Sequence, residues 1–585
     1  MKLGLGKIKD ALKGGAEKNT GMEKEKGEKE KNQKKGKENY RIENSGRYPE
    51  NGAKNHAEID AENNEETEPE RLEEVTMKIK TSEQQSEDKP RNESKCESKH
   101  ESKHESKRES KQELVNEPVN GLLNGLVKET MVPANQTGTR KTGLIFFPAF
   151  DWAISPTHPE REERLLYTRD QIFEEGLMDL PQIAEYKPRL ADYRDIARVH
   201  FCVPDIKAQA TTPHLIAAGS CLVLADALMR GEVKNAFALV RPPGHHAMTV
   251  AHGNRGFCNI NNEAILVEYL RKKYGIRRIA IVDTDVHHGD GTQEIFYNDP
   301  DVLFISFHQD GRTLYPGSGF MNELGGPKAL GRTINIPLPP GTPDEGILYV
   351  LGALVLPILE DFKPELVLNS AGQDNHYTDP LANMRFSAQG YAKLNEKLAP
   401  DMAVLEGGYA IQSALPYVNT GIILAMAGLD YSCVKEPDFK PGMFVQAARD
   451  RQILEEVIAT QLENWKNRDR LVETEIAKHG DFYRRKKQIF YDTDMIQEFQ
   501  EETVRMCPDC QGYVTIDSHA HRSINDTRIF GVSIPIYACD RCQAEAGEEY
   551  RKRLNSPEYE YVYLQDKKAD EYREYNMRTK QEISY

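Results

Sequence analysis

From residue 141 onward the chain alternates short apolar runs with longer stretches in which apolar residues recur at helical spacing. Six runs read as buried strands: 143–147, 236–240, 278–282, 302–307, 366–369 and 402–405. Helix-like segments lie between several of them, at 214–230, 261–274 and 345–361. Alternation of strand and helix predicts an α/β fold with a parallel sheet covered on both faces. In such sheets reactive residues collect beyond the carboxyl ends of the strands. Further on, ILEEVIATQLENW and MIQEFQEETV are charged and helical in texture, so 432–504 reads as a helical linker region. A last block, 505–585, holds cysteine pairs and a charged, Tyr-rich tail.

The first 140 residues follow a different pattern. Leu3, Leu5, Ile8 and Leu12 are compatible with a short surface-seeking amphipathic helix, and the opening segment lacks the continuous apolar core of a secretory signal. From about residue 23 to 113 the text is nearly all Glu, Lys, Asn, Ser and Gln, which cannot bury enough apolar surface to offset chain entropy. The repeat ESKC-ESKH-ESKH-ESKR-ESKQ over 93–112 stacks Glu on Glu and Lys on Lys at i, i+4. Like charges at that spacing disfavour a helix, so 1–140 is expected to be a disordered, charged, low-complexity tail, with His100 and His104 as solvated side chains.

Composition narrows the function classes. The 77 Lys and Arg against 93 Asp and Glu give a formal net charge of −16, which argues against a dedicated nucleic-acid binder while leaving a local basic patch open. Nine cysteines in 585 residues are not a disulfide framework. There is no run of 18 apolar residues, so a transmembrane segment is not expected. The expectation is a soluble cytoplasmic protein in a reducing compartment, of unknown oligomeric state.

Chemistry concentrates where the candidate strands end. Asp283-Thr-Asp285-Val-His287-His288-Gly-Asp290-Gly follows the run RRIAIV, and alternation along an extended chain puts 283, 285 and 287 on one side. Two carboxylates and an imidazole on one edge suit a divalent cation, Zn²⁺ above all; the bland alternative is a helix cap with ordinary turn residues. Arg241-Pro-Pro-Gly-His245-His246 follows 236–240, and a histidine pair on a stiff turn points to proton transfer rather than packing. Ser370-Ala-Gly-Gln-Asp374 adds a carboxylate after 366–369, and Glu406-Gly-Gly-Tyr409 presents a phenol after 402–405.

This combination resembles the zinc-dependent histone deacetylase family, with its acetoin-utilisation and acetylpolyamine amidohydrolase relatives. The resemblance extends over about 143–430 and includes His158-Pro-Glu-Arg-Glu-Glu-Arg164, Gly256-Phe-Cys-Asn-Ile-Asn-Asn262 and the stretch from Ser306-Phe307-His308 through Tyr315-Pro-Gly317. It implies an arginase-like three-layer α/β/α sandwich over a catalytic domain at 141–431. By the same resemblance Asp285, His287 and Asp374 would hold the catalytic zinc. His245 and His246 would be the tandem catalytic pair, with Asp283 and Asp290 as their carboxylate partners, and Tyr409 would donate to the carbonyl oxygen. A structural K⁺ would take Asp283, Asp285, Ser306 and main-chain oxygens of His287 and Phe307. Gly256, Phe257 and Tyr315 would line a narrow substrate tunnel. Leu381, seven residues after Asp374, stands where polyamine-preferring relatives carry glutamate, which favours acetyl-lysine over acetylated polyamines.

Cys507-Pro-Asp-Cys510 and Cys539-Asp-Arg-Cys542 are spaced for a tetrahedral Cys₄ structural zinc in a small zinc-ribbon-like module at 505–585, a redox dithiol being the alternative. His519 and His521 between them read as surface residues. The expected function is removal of acetyl groups from protein lysines. The alternatives are deacetylation of small amines, to which the negative charge is suited, and a non-catalytic acyl-lysine-binding scaffold. A two-manganese ureohydrolase is disfavoured by the Asp-x-Asp-x-His-His order.

Overall fold

The computed structural model describes residues 141–149, 152–523 and 525–585, and these belong to one compact unit. The expected tail, its amphipathic segment and the 93–112 repeat lie outside the described residues.

Ten strands build the first part: β1 Lys141–Phe147, β2 Ile183–Glu185, β3 Phe201–Cys202, β4 Val233–Val240, β5 Val250–Ala251, β6 Ile279–Asp283, β7 Val302–Gln309, β8 Thr333–Leu338, β9 Leu366–Ala371 and β10 Met402–Leu405. Eight form one sheet in the order β2-β1-β4-β10-β9-β6-β7-β8, parallel throughout, while β3 and β5 pair separately. Period-two side-chain alternation divides each strand between two cores. Ile279 and Ile281 of β6 enter one cluster, and Ala280 and Val282 enter the other. Helices α1 (Glu163–Glu174), α2 (Thr212–Met229), α3 (Asn262–Tyr274), α4 (Asp290–Phe296), α5 (Ala388–Leu398) and α6 (Leu415–Ala427) flank the sheet. Cys221 and Leu224 of α2 and Ile265 and Leu266 of α3 cover one face; Leu165 of α1, Leu394 of α5 and Ile422 of α6 cover the other. The result is the expected three-layer α/β/α sandwich. Helix α2 is long and apolar enough to cross a membrane by composition, yet 67% of it is buried inside this fold.

The helical reading of 432–504 needs correction. Helices α7 (Ala448–Lys466) and α8 (Arg468–Lys478) do form, and Leu454, Val457 and Trp465 of α7 pack into the core of the parallel sheet. Residues 482–505, by contrast, are strands β11 (Phe482–Tyr491) and β12 (Ile496–Arg505). They open a seven-stranded sheet in chain order with β13 (Val514–Arg522), β14 (Asn525–Ile534), β15 (Tyr561–Asp566), β16 (Glu571–Asn576) and β17 (Gln581–Ser584). Its pairs are antiparallel except β14–β15, which are parallel and joined across helix α9 (Asp540–Arg553). The cysteine-bearing module is therefore larger than a ribbon and begins near residue 482. It docks on the first part through Phe201, Val203 and Val250 against Ile516, Ile529 and Tyr563, and through Met248 against Ile489, Tyr491 and Ile496.

Candidate active site

Strands β4, β10, β9 and β6 are neighbours at the centre of the sheet, and each of the four polar motifs follows one of them. Parallel pairing sets all four carboxyl ends on one rim. Asp283 lies in register with Ser306 of β7 and Ser370 of β9, and Leu405 lies opposite Ala371.

On that rim one ligand atom each of Asp285, His287 and Asp374 lies within 4.8 Å of the others. All three are buried. His287 Nδ1 is 3.1 Å from Asp285 Oδ1 and 3.1 Å from Asp374 Oδ2. The remaining oxygens are fixed by main-chain donors: Gly407 N–H to Asp285 Oδ2 at 2.7 Å, and Val286 N–H to Asp374 Oδ1 at 2.9 Å. A Cβ at position 407 would stand 2.1 Å from Asp374 Oδ2 and 2.5 Å from Asp285 Oδ2, so only glycine leaves room there. Two carboxylates and one imidazole converging on a common point fit a divalent metal such as zinc, with coordination left open for a substrate.

The tandem histidines are placed differently from one another. His246 Nδ1 meets Asp290 Oδ1 at 2.8 Å, and Asp290 is also held by the Arg255 guanidinium at 2.8 Å. Burial, reinforced by the charge of His245, pulls His246 down to about 3 despite Asp290, so its ring is neutral near neutral pH. His245 Nδ1 meets Asp283 Oδ2 at 3.1 Å. Burial opposes its protonation, but Asp285 and Asp283 outweigh it and hold His245 well above the usual imidazole range. Burial is also the main cause that pushes Asp283 up to about 7.

Tyr409 is buried, and burial keeps its phenol protonated well above the usual range. Its amide donates to Asp379 Oδ2 at 2.7 Å. The loop carrying it is tied from below: Arg164 donates to the carbonyl oxygens of Glu406 at 2.5 Å and Gly408 at 2.7 Å, and its guanidinium lies 4.9 Å from the Tyr409 ring centroid. Glu160 accepts from Arg164 at 2.9 Å and from Arg241 at 2.6 and 2.8 Å. One buried carboxylate thereby joins the phenol loop to the histidine loop. The side chain of Glu406 completes the link, accepting from the amides of Gly244 at 2.7 Å and His245 at 3.1 Å.

A cavity of about 260 Å³ opens over these groups. Its walls include Gly256, Phe257, Tyr315 and Leu381, and His246, His287 and Tyr409 face it as well. Gly256 has φ +52°, and a Cβ there would lie 2.4 Å from the His246 ring. Phe257 itself adopts φ +71°, an uncommon conformation for an aromatic residue, and its ring stands edge-on to Tyr409 at 5.6 Å. Asp492, from the β11–β12 turn, also lines the cavity.

Asp283 pairs in register with Ser306 of β7, whose Oγ meets His308 Nδ1 at 2.9 Å. In the C-terminal module Cys507, Cys510, Cys539 and Cys542 gather with their sulfurs within 4.8 Å, the first pair after β12 and the second at the start of α9. Burial opposes ionisation of Cys507, but the Asp509 amide and the Arg541 guanidinium, 3.3 Å away, bring it down to about 6. A thiolate is the form that binds metal. Lys328 of the first part reaches the carbonyl oxygens of Cys507 and Cys510. His519 and His521 lie with Asp526 on the β13–β14 surface.

Residues that sequence reasoning did not single out are Glu160, Arg164, Arg241, Asp379, Glu406 and Asp492. The first five sit inside or beside motifs already quoted, and it is their partners across the fold that were not legible. Asp492 lies in an ordinary turn text, Tyr-Asp-Thr-Asp, with nothing to mark it.

A parallel α/β sandwich with a carboxylate–imidazole cluster beneath a tyrosine and a histidine pair defines a metal-dependent amidohydrolase. The Histone deacetylase domain matches residues 158–424. A probable deacetylase of Archaeoglobus fulgidus is 45% identical over 325 residues, covering 51% of this chain and 89% of that protein. A histone deacetylase-like amidohydrolase of Pseudomonas aeruginosa is 36% identical over 258 residues, or 42% of this chain and 67% of that protein. Histone deacetylase 14, chloroplastic, of Arabidopsis thaliana is 42% identical over 213 residues, about half its length at 49%. Among solved structures, the HDA15 HD domain superposes with a TM-score of 0.50 and 28% identity, over 59% of this chain and 100% of that one. The chain belongs to the histone deacetylase family, and it is a deacetylase.

Proposed function

We propose that the chain removes acetyl groups from lysine side chains of proteins. The observation that carries this reading is the assembly of Asp285, His287 and Asp374 with His246 and Tyr409 at the floor of one cavity walled by Phe257, Tyr315 and Leu381. A flexible acetylated alkyl stem fits between such walls, and Leu381 offers it no charge.

Zinc held by Asp285, His287 and Asp374 would supply Lewis acidity toward the amide carbonyl and acidify water beside it. His246, neutral and with Nδ1 committed to Asp290, accepts the proton of the attacking water at Nε2. His245, whose Nδ1 meets Asp283, returns a proton through the pair to the departing amine. The two adjacent rings keep separate carboxylate partners, Asp283 and Asp290, which sets their orientations apart. The Tyr409 hydroxyl donates to the carbonyl oxygen as negative charge develops there. Asp379 and Arg164 keep the phenol in place.

Two further assignments belong to the same proposal. Asp283, Asp285 and Ser306, with main-chain oxygens of His287 and Phe307, would hold a potassium ion. The four cysteines take a structural zinc. A second substrate class, small acetylated amines, is supported by Asp492, an acidic group in the cavity that Leu381 alone would not provide.

The test is acetate release from acetyl-lysine peptides by the zinc-loaded full chain, with inhibition by a hydroxamate. Absence of release from every peptide and acetylated amine, with zinc present, would overturn the reading.

A further inference from the structure

The turn between β11 and β12 does not end in solvent. Asp492 Oδ1 accepts from the Gly256 amide at 2.9 Å and from the Tyr315 hydroxyl at 3.1 Å. Asp494 Oδ2 accepts from the Asn254 amide at 2.6 Å, and Thr493 Oγ1 donates to Asn254 Oδ1 at 2.7 Å. Tyr491 donates to the Val250 carbonyl at 2.6 Å. Four consecutive residues of the C-terminal sheet thus grip the segment 250–256, which leads into the tunnel wall.

The grip leaves a half-buried carboxylate on the cavity wall, alongside Phe257, Leu381 and Tyr409. Both groups that donate to it are neutral. Among the described residues no Lys, Arg or His nitrogen lies within 4 Å of it, and Oδ2 has no protein donor. The neighbouring cation, Arg255, sits 5.5 Å from the Tyr315 ring but is paired with Asp290 at 2.5 Å. A negative charge in a partly desolvated pocket without a countercharge attracts a cation that enters with the substrate.

We propose that Asp492 is a specificity-determining residue of the deacetylase pocket, supplied by the hairpin tip of the C-terminal sheet, and that it takes a protonated amine of the substrate beyond the acetylated nitrogen. The inference rests on the deacetylase reading above and deepens it. The protonated amine has two sources: the far nitrogen of an acetylated diamine or polyamine, and a lysine or arginine flanking acetyl-lysine in a peptide. The C-terminal sheet is then part of the active site, because the parallel-sheet part alone has no group at this place.

The experiment uses the zinc-loaded full chain and two substrate pairs: N-acetylputrescine against N-acetylbutylamine, and an acetyl-lysine peptide with arginine flanks against one with alanine flanks. The expected result is a kcat/KM about tenfold higher for the cationic member of at least one pair, expressed mainly in KM and shrinking as salt rises. The pair that shows it names the source. Asp492→Asn keeps an oxygen for Gly256 and Tyr315 while removing the charge, so its ratio falls close to one at an unchanged Tm, and Asp492→Glu restores part of it. Equal rates within both pairs, or a ratio that Asp492→Asn leaves intact, overturns the proposal. If no substrate is turned over, the deacetylase reading fails by itself. The charge site is then read by calorimetry with an alkyl hydroxamate ending in ammonium against its methyl-ended analogue: tighter binding of the ammonium form, lost in Asp492→Asn, supports the site, and equal affinities overturn it.

Discussion

Asp285 and His287 meet Asp374, 87 residues beyond His287, because β6 and β9 are neighbours in the sheet. Cys507, Cys510, Cys539 and Cys542 meet from two short knuckles beside one helix, with Cys507 and Cys542 fully buried. The first cluster mixes oxygen and nitrogen donors and faces a cavity of about 260 Å³. The second offers four like sulfurs, its main-chain oxygens capped by Lys328. A metal with room beside it can act on a substrate, whereas one enclosed by four thiolates contributes folding energy. Position in the fold follows the same division: the open cluster lies where a parallel sheet collects its reactive ends, and the closed one lies where the second sheet needs tying together.

The sharpest break between the two centres is a metal count. Asp374→Ala should lower deacetylation more than about 10³-fold and remove one of two zinc ions per chain, measured by acetate release and elemental analysis. Two zinc ions remaining in that variant would dissolve the distinction. Tyr409→Phe should reduce kcat by about 10²–10³ with both metals retained, since only an oxyanion donor is lost. Cys507→Ser should remove the other zinc and lower Tm by about 5–10 °C, with kcat per folded molecule changed far less than by either catalytic substitution. A large kcat loss there, with the fold intact, would mean that the closed centre reaches the chemistry.

Acid should act on the junction between the regions before either metal cluster is considered. Burial opposes ionisation of Glu502, but Lys487 and Arg485 outweigh it and hold the carboxyl at about 2, below its ordinary 4.5. A depressed carboxylate contributes stability that is full above the unfolded value and is lost as pH falls from about 4.5 through 2, on the order of 3 kcal/mol here. Hydrogen exchange in β11 and β12 should therefore rise in that window, and Glu502→Gln should flatten the dependence. An exchange profile indifferent to that substitution would locate the acid-sensitive contact elsewhere.

The parallel sheet was legible because its strands are buried on both faces and read as unbroken apolar runs, ending in motifs whose residue types have few other uses. Edge strand β8 escaped notice: Pro337 interrupts its text, which an edge tolerates because one side has no partner. Strand β12 was mistaken for a helix for a more instructive reason. Its inward residues are Ile496, Glu498, Gln500, Glu502 and Val504, while Phe499 points to solvent. The buried face is polar because it is matched by specific partners: Glu498 takes Tyr491 at 2.8 Å and Ser518 at 2.5 Å, and Glu502 takes Asn298 at 2.9 Å. Period-two alternation is present in space, but only Ile496 and Val504 at its ends are apolar on the inward face, so hydrophobicity does not trace it. The side chains named from the sequence for ligation and proton transfer, Asp285, His287, Asp374, His245, His246 and Tyr409, are brought together on one rim. Glu160 and Asp379 were not legible, since their importance lies in which distant loops they bridge.

The knot at Glu160 sets one carboxylate against two guanidinium groups, those of Arg164 and Arg241, all of them sealed from water. The balance of that trio is one unit positive, and Arg164 carries it directly under the aromatic ring of Tyr409. That guanidinium is fixed beneath the phenol by contacts the fold has already made, so the hydroxyl's support is in place before any substrate arrives, with no side chain left to move when the bond is attacked.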